Sequence, residues 1–207
     1  MKELFKNFAL FAVFSVVFSG LSGCGSQSAN TAANNVATNA APANASTNGA
    51  STTVYPPLAS ALADAELEAL DGTKTKVSDR KGKVVLLNIW GIWCGPCIAE
   101  MPHLVDLQEK YRDQGFEIIG LNIGADEMGT PEDLDEIKKF GEKKNLNYTL
   151  VRSPDEVTGQ FYKITKQNVV PQSILINREG QLRGVFIGFG GKVMNSMKDT
   201  IDKAMKE

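Results

Sequence analysis

Few residues in this chain can bind a metal ion through nitrogen or sulfur. Its 207 residues include one histidine, His103, and three cysteines, Cys24, Cys94 and Cys97. Structural zinc normally takes four such ligands, and attachment of a c-type haem needs a histidine directly after the second cysteine, where this chain has Ile98. Cys24 lies at the end of a predicted N-terminal signal and is not counted as a ligand, so fewer than four such residues remain. We therefore expect the protein to hold neither a metal ion nor a cofactor.

The chain also lacks an apolar run long enough to cross a membrane. Residues 8–18 form an apolar run of eleven residues, whereas a helix that spans a bilayer of about 30 Å needs about 20. A short charged segment precedes this run and small residues follow it, which is typical of a cleaved secretory signal. We therefore predict that residues 1–23 are a signal peptide.

The residues at the end of this signal, Leu21, Ser22, Gly23 and Cys24, resemble the lipobox of bacterial lipoproteins. The resemblance implies that Cys24 is lipidated and becomes the first residue of the mature chain, which several acyl chains would anchor stably to a membrane. An ordinary secretory signal with a chance cysteine is the alternative, because it shares the small-residue cleavage pattern.

Charged and bulky residues are nearly absent from the next segment. Residues 26–53 contain no charged residue and consist almost entirely of Ala, Asn, Thr, Ser and Gly, so they cannot bury a core. We predict that residues 24–57 are the lipidated cysteine and a flexible tether, in which residues 26–53 have a root-mean-square reach of about 30 Å. Residues 58–207 then have the size of one domain.

Neither sign of charge dominates the composition. The chain has 22 basic and 24 acidic residues and a formal net charge of −2. Nothing in this balance favours nucleic acid, and we expect no nucleic-acid partner.

The chain does contain a closely spaced cysteine pair. Cys94 and Cys97 follow an apolar segment, residues 84–90, that predicts a buried strand, and Pro96 suits the first turn of a helix that begins at about Gly95. Unpaired N–H groups and the positive end of the helix dipole favour a thiolate at Cys94. We therefore predict that Cys94 is exposed and is the attacking sulfur of a redox pair. A purely structural disulfide is the alternative, although so short a loop gains little from cross-linking.

The sequence around this pair resembles a known family. The run from Lys81 to Pro102, with Trp-Cys-Gly-Pro-Cys at its centre, is similar to the TlpA/ResA branch of the thioredoxin superfamily, and the resemblance covers about residues 58–207. It implies a membrane-anchored thiol–disulfide oxidoreductase with a redox-active Cys94–Cys97 disulfide. Its fold would be α/β, with a mixed central sheet, an N-terminal β-hairpin and an inserted helix.

The resemblance also implies further site residues. Pro171 would be cis and stack beside the cysteines, and the backbone of Val170 would pair with substrate. Gln172 stands where the family usually has threonine, which leaves the substrate preference open. Trp93, Gly95 and Pro96 are predicted to contact substrate as well.

Glu100 lies on one helical face with Cys94 and Cys97, and the family pattern implies that it manages protons for Cys97. Thioredoxin has a buried aspartate where this chain has Asn88, which cannot take the proton, and this strengthens the case for Glu100. The alternative is an exposed glutamate that favours the helix start. We expect Trp90 to pack in the core and His103 to lie at the surface.

Strand and helix signals alternate through residues 58–207. Asp71 and Gly72 predict the N-terminal hairpin, Pro102 is expected to kink the helix that carries the cysteines, and Thr130 is predicted to cap an inserted helix within residues 124–146. The other predicted strands cover residues 84–90, 116–123, 148–151, 173–177 and 182–187, and the other predicted helices cover 95–112, 156–162 and 193–205.

We predict from these features a reductant of protein disulfides in the cell envelope, facing the periplasm or the exterior. The resemblance suggests a membrane electron donor of the CcdA/DsbD kind and substrates such as apocytochrome c, and hence a role in cytochrome c maturation. A thiol peroxidase is one alternative, although its motif calls for proline and threonine where this chain has Leu87 and Gly91. A lipoprotein that binds copper(I) through the two thiols is another.

Overall fold

The computed structural model describes residues 55–126, 128 and 130–207. The predicted signal peptide, Cys24 and nearly all of the predicted tether lie outside these residues. Within them, no helix is long and apolar enough to cross a membrane.

The described residues form a five-stranded mixed sheet with helices on both faces, and a separate two-stranded hairpin. The strands are β1 (Leu67–Glu68), β2 (Lys74–Thr75), β3 (Val84–Trp90), β4 (Phe116–Asn122), β5 (Thr149–Arg152), β6 (Gln172–Ile176) and β7 (Leu182–Ile187). The α-helices are α1 (Ser60–Ala63), α2 (Gly95–Tyr111), α3 (Leu134–Lys143), α4 (Asp155–Thr165) and α5 (Gly191–Ala204). Short 3₁₀ turns cover Val77–Arg80 and Arg112–Gln114.

Strand β3 is the centre of the sheet, whose order is β5-β4-β3-β6-β7. It pairs parallel to β4 and antiparallel to β6, and every one of its residues is buried. The sequence of a strand that is buried on both faces is a nearly continuous run of apolar residues, and this run predicted the strand. Only Asn88 interrupts the run, and its side chain becomes part of the site described below.

The two faces of β3 contribute to two apolar clusters. Val85, Leu87 and Ile89 belong to a cluster that includes Leu62 of α1 and Phe161 of α4. The opposite face carries Leu86, Asn88 and Trp90, since side chains alternate along a strand. Leu86 packs there with residues of α2 and α5, among them Leu104 and Met197. Helix α2, which begins with the cysteine pair, therefore lies against the face of the sheet that carries Asn88.

The N-terminal hairpin is confirmed, although its strands are only two residues long. Leu67 pairs with Thr75 across an antiparallel ladder, and Gly72 takes a positive φ of 83° in the turn. Glycine has no steric penalty there because it lacks a Cβ. The Leu70 N–H donates to the Leu150 carbonyl at 3.2 Å, so the hairpin lies against β5.

The predicted cap of the inserted helix is wrong. Helix α3 begins at Leu134, and the Asp133 side chain caps it by accepting from the N–H groups of Asp135 and Glu136. Thr130 cannot serve as the cap, because its hydroxyl donates to the Asp126 carboxylate at 2.6 Å and its backbone stays outside the helix. A carboxylate is also the more favourable neighbour for the positive end of the helix dipole.

Candidate active site

The cysteine pair lies where β3 ends and α2 begins. A disulfide joins Cys94 to Cys97, whose Cα atoms are 5.3 Å apart. Cys94 is the N-cap residue of α2, and its Sγ accepts a hydrogen bond from the Cys97 backbone N–H at 3.1 Å. An N-terminal helix position of this kind stabilises negative charge on sulfur once the disulfide is reduced.

Cys94 is far less exposed than the sequence suggested. Its exposed fraction is 4%, against 1% for Cys97, and both belong to an apolar cluster with Trp90, Met101 and Ile137. The intervening Gly95 and Pro96 are the exposed residues of the loop. Apolar side chains from several elements cover the sulfurs, which a linear motif cannot reveal, yet Cys94 remains the more accessible of the two.

Trp93 forms part of this cover. Its side chain packs against the cluster, and its indole Nε1 donates to the Gly124 carbonyl at 3.2 Å. A Cβ on Gly91 would lie 2.7 Å from the Trp93 indole, so only glycine fits beneath the ring as it stands. Sequence reasoning missed this contact, because nothing in the motif shows that the indole folds back over Gly91.

Trp90 has the packing role that the sequence predicted. Its side chain is completely buried, and its ring stacks on Phe140 of α3 with centroids 5.4 Å apart. The inserted helix therefore packs against the same apolar cluster as the two cysteines. His103 is partly buried and stacks on Phe189, with ring centroids 5.9 Å apart.

The peptide bond between Val170 and Pro171 is cis, as predicted. Val170 packs against the apolar cluster that contains both cysteines, so this loop lies beside the disulfide. The Pro171 carbonyl accepts from the Gly188 N–H at 2.8 Å, which ties the loop to the end of β7. The structure thus brings Trp93, Cys94, Cys97 and Val170 to one apolar cluster.

Glu100 lies on α2 three residues after Cys97, and it is buried rather than exposed. Only 1% of it is accessible, so the alternative of an exposed glutamate at the helix start is wrong. Burial raises the pKa of the Glu100 carboxyl from its ordinary value to about 7. The Asn88 amide opposes this rise, because its Nδ2 donates to Glu100 Oε2 at 3.1 Å and so favours the ionised form.

Two residues near Glu100 were not predicted from the sequence to belong to the site. Ser173 is the register partner of Asn88 on β6, and its Oγ accepts from Asn88 Nδ2 at 3.0 Å. The predicted hairpin of β6 and β7 placed Ser173 in a strand, but not opposite Asn88. Tyr148 has a buried hydroxyl without a hydrogen-bond partner among the described residues. Burial, and secondarily the charge of Glu100, raises the pKa of Tyr148 above its ordinary value.

The described residues contain no group of three or more His, Cys, Asp or Glu side chains that could hold a metal ion. Such a centre needs several ligands to converge at bonding distance. In this part of the chain, the chemistry available at the site is that of the two sulfurs and the Glu100 carboxyl.

Comparisons with known proteins agree with this geometry. A sequence model of the AhpC/TSA family matches residues 58–185. The chain is similar to the thiol-disulfide oxidoreductase ResA of Geobacillus kaustophilus, with 30% identity over 131 residues that cover 63% of this chain and 70% of that protein. It is 31% identical to ResA of Bacillus subtilis over 122 residues, which cover 59% of this chain and 63% of that protein.

Solved structures share the fold. A thioredoxin-family thiol:disulfide interchange protein from Chlorobium tepidum TLS superposes with a TM-score of 0.59 at 21% identity, over 75% of this chain and 99% of that one. A second Chlorobium tepidum structure, described as a thiol:disulfide interchange protein DsbE, gives a TM-score of 0.56 at 27% identity, over 68% of this chain and 92% of that one. The predicted thioredoxin fold is confirmed.

Proposed function

Because the chain belongs to the AhpC/TSA family and is a thiol–disulfide oxidoreductase related to ResA, we propose that it reduces disulfide bonds of other proteins in the cell envelope. The observation that carries this proposal is the Cys94–Cys97 disulfide at the start of α2, beside Val170 of the cis Val170–Pro171 bond and on the same helix as the buried Glu100.

Reduction begins with Cys94 in its thiolate form. The Cys97 N–H that reaches Cys94 Sγ, together with the start of the helix, supports that charge. The thiolate attacks one sulfur of the substrate disulfide, a mixed disulfide with Cys94 forms, and the other substrate sulfur leaves as a thiolate that takes a proton from solvent.

Cys97 then resolves the mixed disulfide. It loses its proton and attacks Cys94 Sγ, which closes the Cys94–Cys97 disulfide and releases the second substrate thiolate. The substrate has gained two electrons and, after protonation, two hydrogens, while the protein has become oxidised. The smaller exposed fraction of Cys97, 1% against 4% for Cys94, supports this order of attack.

Glu100 serves in this scheme as the proton carrier for Cys97. A carboxyl whose pKa is raised to about 7 is present in both protonation states near neutral pH. Its ionised form accepts the Cys97 proton as the resolving thiolate forms, and its neutral form returns a proton when the pair is reduced again. The position three residues after Cys97 on the same helix supports the assignment.

The residues around the two sulfurs contact the substrate. Gly95 and Pro96 are exposed, and Trp93 and Val170 are half-buried beside the pair. The backbone of Val170, held before the cis Pro171, pairs with an extended segment of the substrate polypeptide. This assignment joins the resemblance to the TlpA/ResA branch with the position of the loop next to the disulfide.

The N-terminal sequence supports an extracytoplasmic, lipid-anchored location. Residues 1–23 direct export, Cys24 carries the lipid, and residues 24–57 form the tether to the folded domain. A membrane thiol donor of the CcdA/DsbD kind reduces the Cys94–Cys97 disulfide again after each turnover. Apocytochrome c is the substrate that we infer from the resemblance. The Gly-Pro pair between the cysteines resembles that of reducing thioredoxins and supports a reductant.

The experiment that tests this function is a trapping assay combined with the reduction potential. In Cys97→Ser the resolving thiol is absent, so Cys94 should accumulate as a mixed disulfide with substrate proteins, whereas Cys94→Ser should trap none. Equal trapping by Cys94→Ser would reverse the assigned roles. A potential near the values of reducing thioredoxins, about −270 mV, is expected, and a value near that of strong oxidants would contradict the direction of electron flow.

A thiol peroxidase finds less support at this site. The positions where its motif calls for proline and threonine hold Leu87 and Gly91. Leu87 is fully buried within β3, and the Trp93 indole occupies the space where a side chain at position 91 would lie. Turnover of hydrogen peroxide by the reduced protein without any other thiol would favour the peroxidase instead.

A further inference from the structure

Gln172 directly follows the cis proline and opens strand β6, but its side chain reaches back into the loop before the proline. The residue is 1% exposed. Its Nε2 donates to the Val169 carbonyl at 2.7 Å and to the Gln167 carbonyl at 3.1 Å. One buried amide group therefore holds two carbonyls of the segment that leads into Val170.

The loop is also held at its two ends, where the Thr165 hydroxyl donates to the Gln167 carbonyl and accepts from the Gln167 N–H, both at 3.3 Å, and where Val170 packs against the apolar cluster. Within the part of the chain that the structure describes, residues 167–170 take part in no backbone–backbone hydrogen bond. Gln167 and Val169 are exposed, and 47% of Val169 is accessible. Exposed backbone with few hydrogen bonds is free to fluctuate. Among the described residues, the Gln172 amide is thus the hydrogen-bonding group that joins strand β6 to the Val169 carbonyl.

A second observation concerns the other end of the same side chain. Gln172 Oε1 is buried and has no hydrogen-bond partner among the described residues. An unpaired buried oxygen costs free energy, which an apolar side chain of similar volume would avoid. Core stability alone does not explain glutamine at this position, whereas the two bonds that Nε2 donates to the loop do.

We propose that Gln172 is a positioning residue that fixes the backbone of Val169 and Val170 in the conformation that pairs with an extended polypeptide carrying the substrate disulfide. This inference rests on the proposed function, in which Val170 meets the substrate backbone. It narrows the substrate class, because a small disulfide that only touches the sulfurs gains nothing from the loop. Tighter binding is expected only for a disulfide within an extended polypeptide, whose backbone can hydrogen-bond to the loop.

The test compares two disulfide substrates, and it compares variants of Gln172 with a variant of a second buried glutamine. The reduced protein is mixed in single-turnover experiments with increasing excess of a peptide that contains a disulfide, or of a small aromatic disulfide, dithiobisnitrobenzoate, so that KM is the half-saturating concentration and kcat the limiting rate. Gln172→Met keeps the approximate volume but removes both donated bonds. We expect KM for the peptide to rise about tenfold, with kcat, the reduction potential and the rate with the small disulfide nearly unchanged.

Gln108 supplies the matched control. It is another buried glutamine that holds backbone, since its Nε2 donates to the Phe116 carbonyl at 3.2 Å and its Oε1 accepts from the Ile118 N–H at 2.7 Å. It lies 11 residues beyond Cys97 on α2, about 16 Å along the helix. Gln108→Met should lower the melting temperature but leave the peptide KM as in the wild type.

Gln172→Glu keeps the side-chain length and covers the case in which Gln172→Met does not fold. Its carboxyl donates a hydrogen bond only when protonated, so its peptide KM should fall toward the wild-type value as the pH is lowered. A wild-type peptide KM in folded Gln172 variants would overturn the inference and leave the proposed function intact. Reduced wild-type protein that leaves the peptide disulfide intact would overturn both.

Discussion

At the residue scale, the site depends on a carboxyl group that is held out of water. Glu100 is 1% exposed, and Asn88 is the hydrogen-bond donor that the structure gives it. The single bond from a neutral amide does not offset the loss of hydration, so the pKa rises to about 7. The raised pKa has consequences for both exchange chemistry and stability.

The first consequence concerns the exchange rate. Glu100→Gln keeps the size and hydrogen-bonding capacity of the side chain but removes its titrating proton. We expect the variant to fold normally and to lose the inflection near pH 7 in the rate of the step in which Cys97 gains or loses its proton. Stopped-flow measurements between about pH 5 and 9 check this.

Glu109 is the matched control for this variant. It lies on the same helix with 64% of its side chain exposed, and Glu109→Gln should keep the wild-type pH profile. An unchanged profile in Glu100→Gln would leave Glu100 without a role in proton transfer.

The second consequence concerns stability. Below about pH 4.5 the Glu100 carboxyl is neutral in both the folded and the unfolded protein, and it stays neutral up to about pH 7 only when folded. Ionisation of the unfolded chain between these values lowers the free energy of unfolding as pH rises, by about 3 kcal/mol in all. This contribution is fully present below pH 4.5 and lost above pH 7.

Glu100→Gln removes this dependence. Relative to the wild type, the variant should therefore gain stability as the pH rises from about 4 to about 8. Urea unfolding of the oxidised proteins at both pH values measures the change, with Glu179→Gln, at an exposed position of the β6–β7 turn, as the control. An equal difference from wild type at the two pH values would mean that the folded protein does not hold Glu100 neutral.

At the scale of strands and helices, the sequence predicted those elements whose conformation is decided by neighbouring residues in the chain. The apolar run of β3, the Asp71-Gly72 turn and the proline in the first turn of α2 each specify one local conformation, and all three elements are present. The cap of α3 was misassigned because Thr130 and Asp133 are both good cap residues. In the structure Asp126, four residues before Thr130, accepts the Thr130 hydroxyl, and Asp133 caps the helix.

Contacts between distant elements were the part that the sequence could not supply. Glu100 was predicted to share a helical face with the cysteines, but its burial depends on α2 lying against the face of β3 that carries Asn88. The bond from Asn88 to Ser173 depends on the register of β3 and β6, and a shift of one residue would turn Ser173 to the other face. The loop hydrogen bonds of Gln172 likewise depend on the path of the backbone before Pro171.

At the scale of the whole molecule, the proposed function joins a redox domain to a membrane. Residues 26–53 of the predicted tether number 28 and would give the domain a root-mean-square reach of about 30 Å from the bilayer. Confinement to so thin a layer raises the effective concentration of the domain at a membrane electron donor without any added contact. Recharging of the cysteine pair should therefore depend on the anchor, whereas exchange with dissolved substrates should not.

Cys24→Ala tests this dependence, because alanine cannot be lipidated. We expect the variant to stay unprocessed or to lack its lipid, and the processed form without lipid should leave the membrane fraction. Its Cys94–Cys97 pair should then accumulate in the oxidised form in cells, while the purified protein reduces a peptide disulfide at the wild-type rate. Ser26→Ala, two residues beyond the predicted lipidation site, is the control and should remain acylated and membrane-bound. Mass spectrometry and thiol labelling of the fractionated protein measure the lipid and the redox state, and normally acylated Cys24→Ala would refute the anchor.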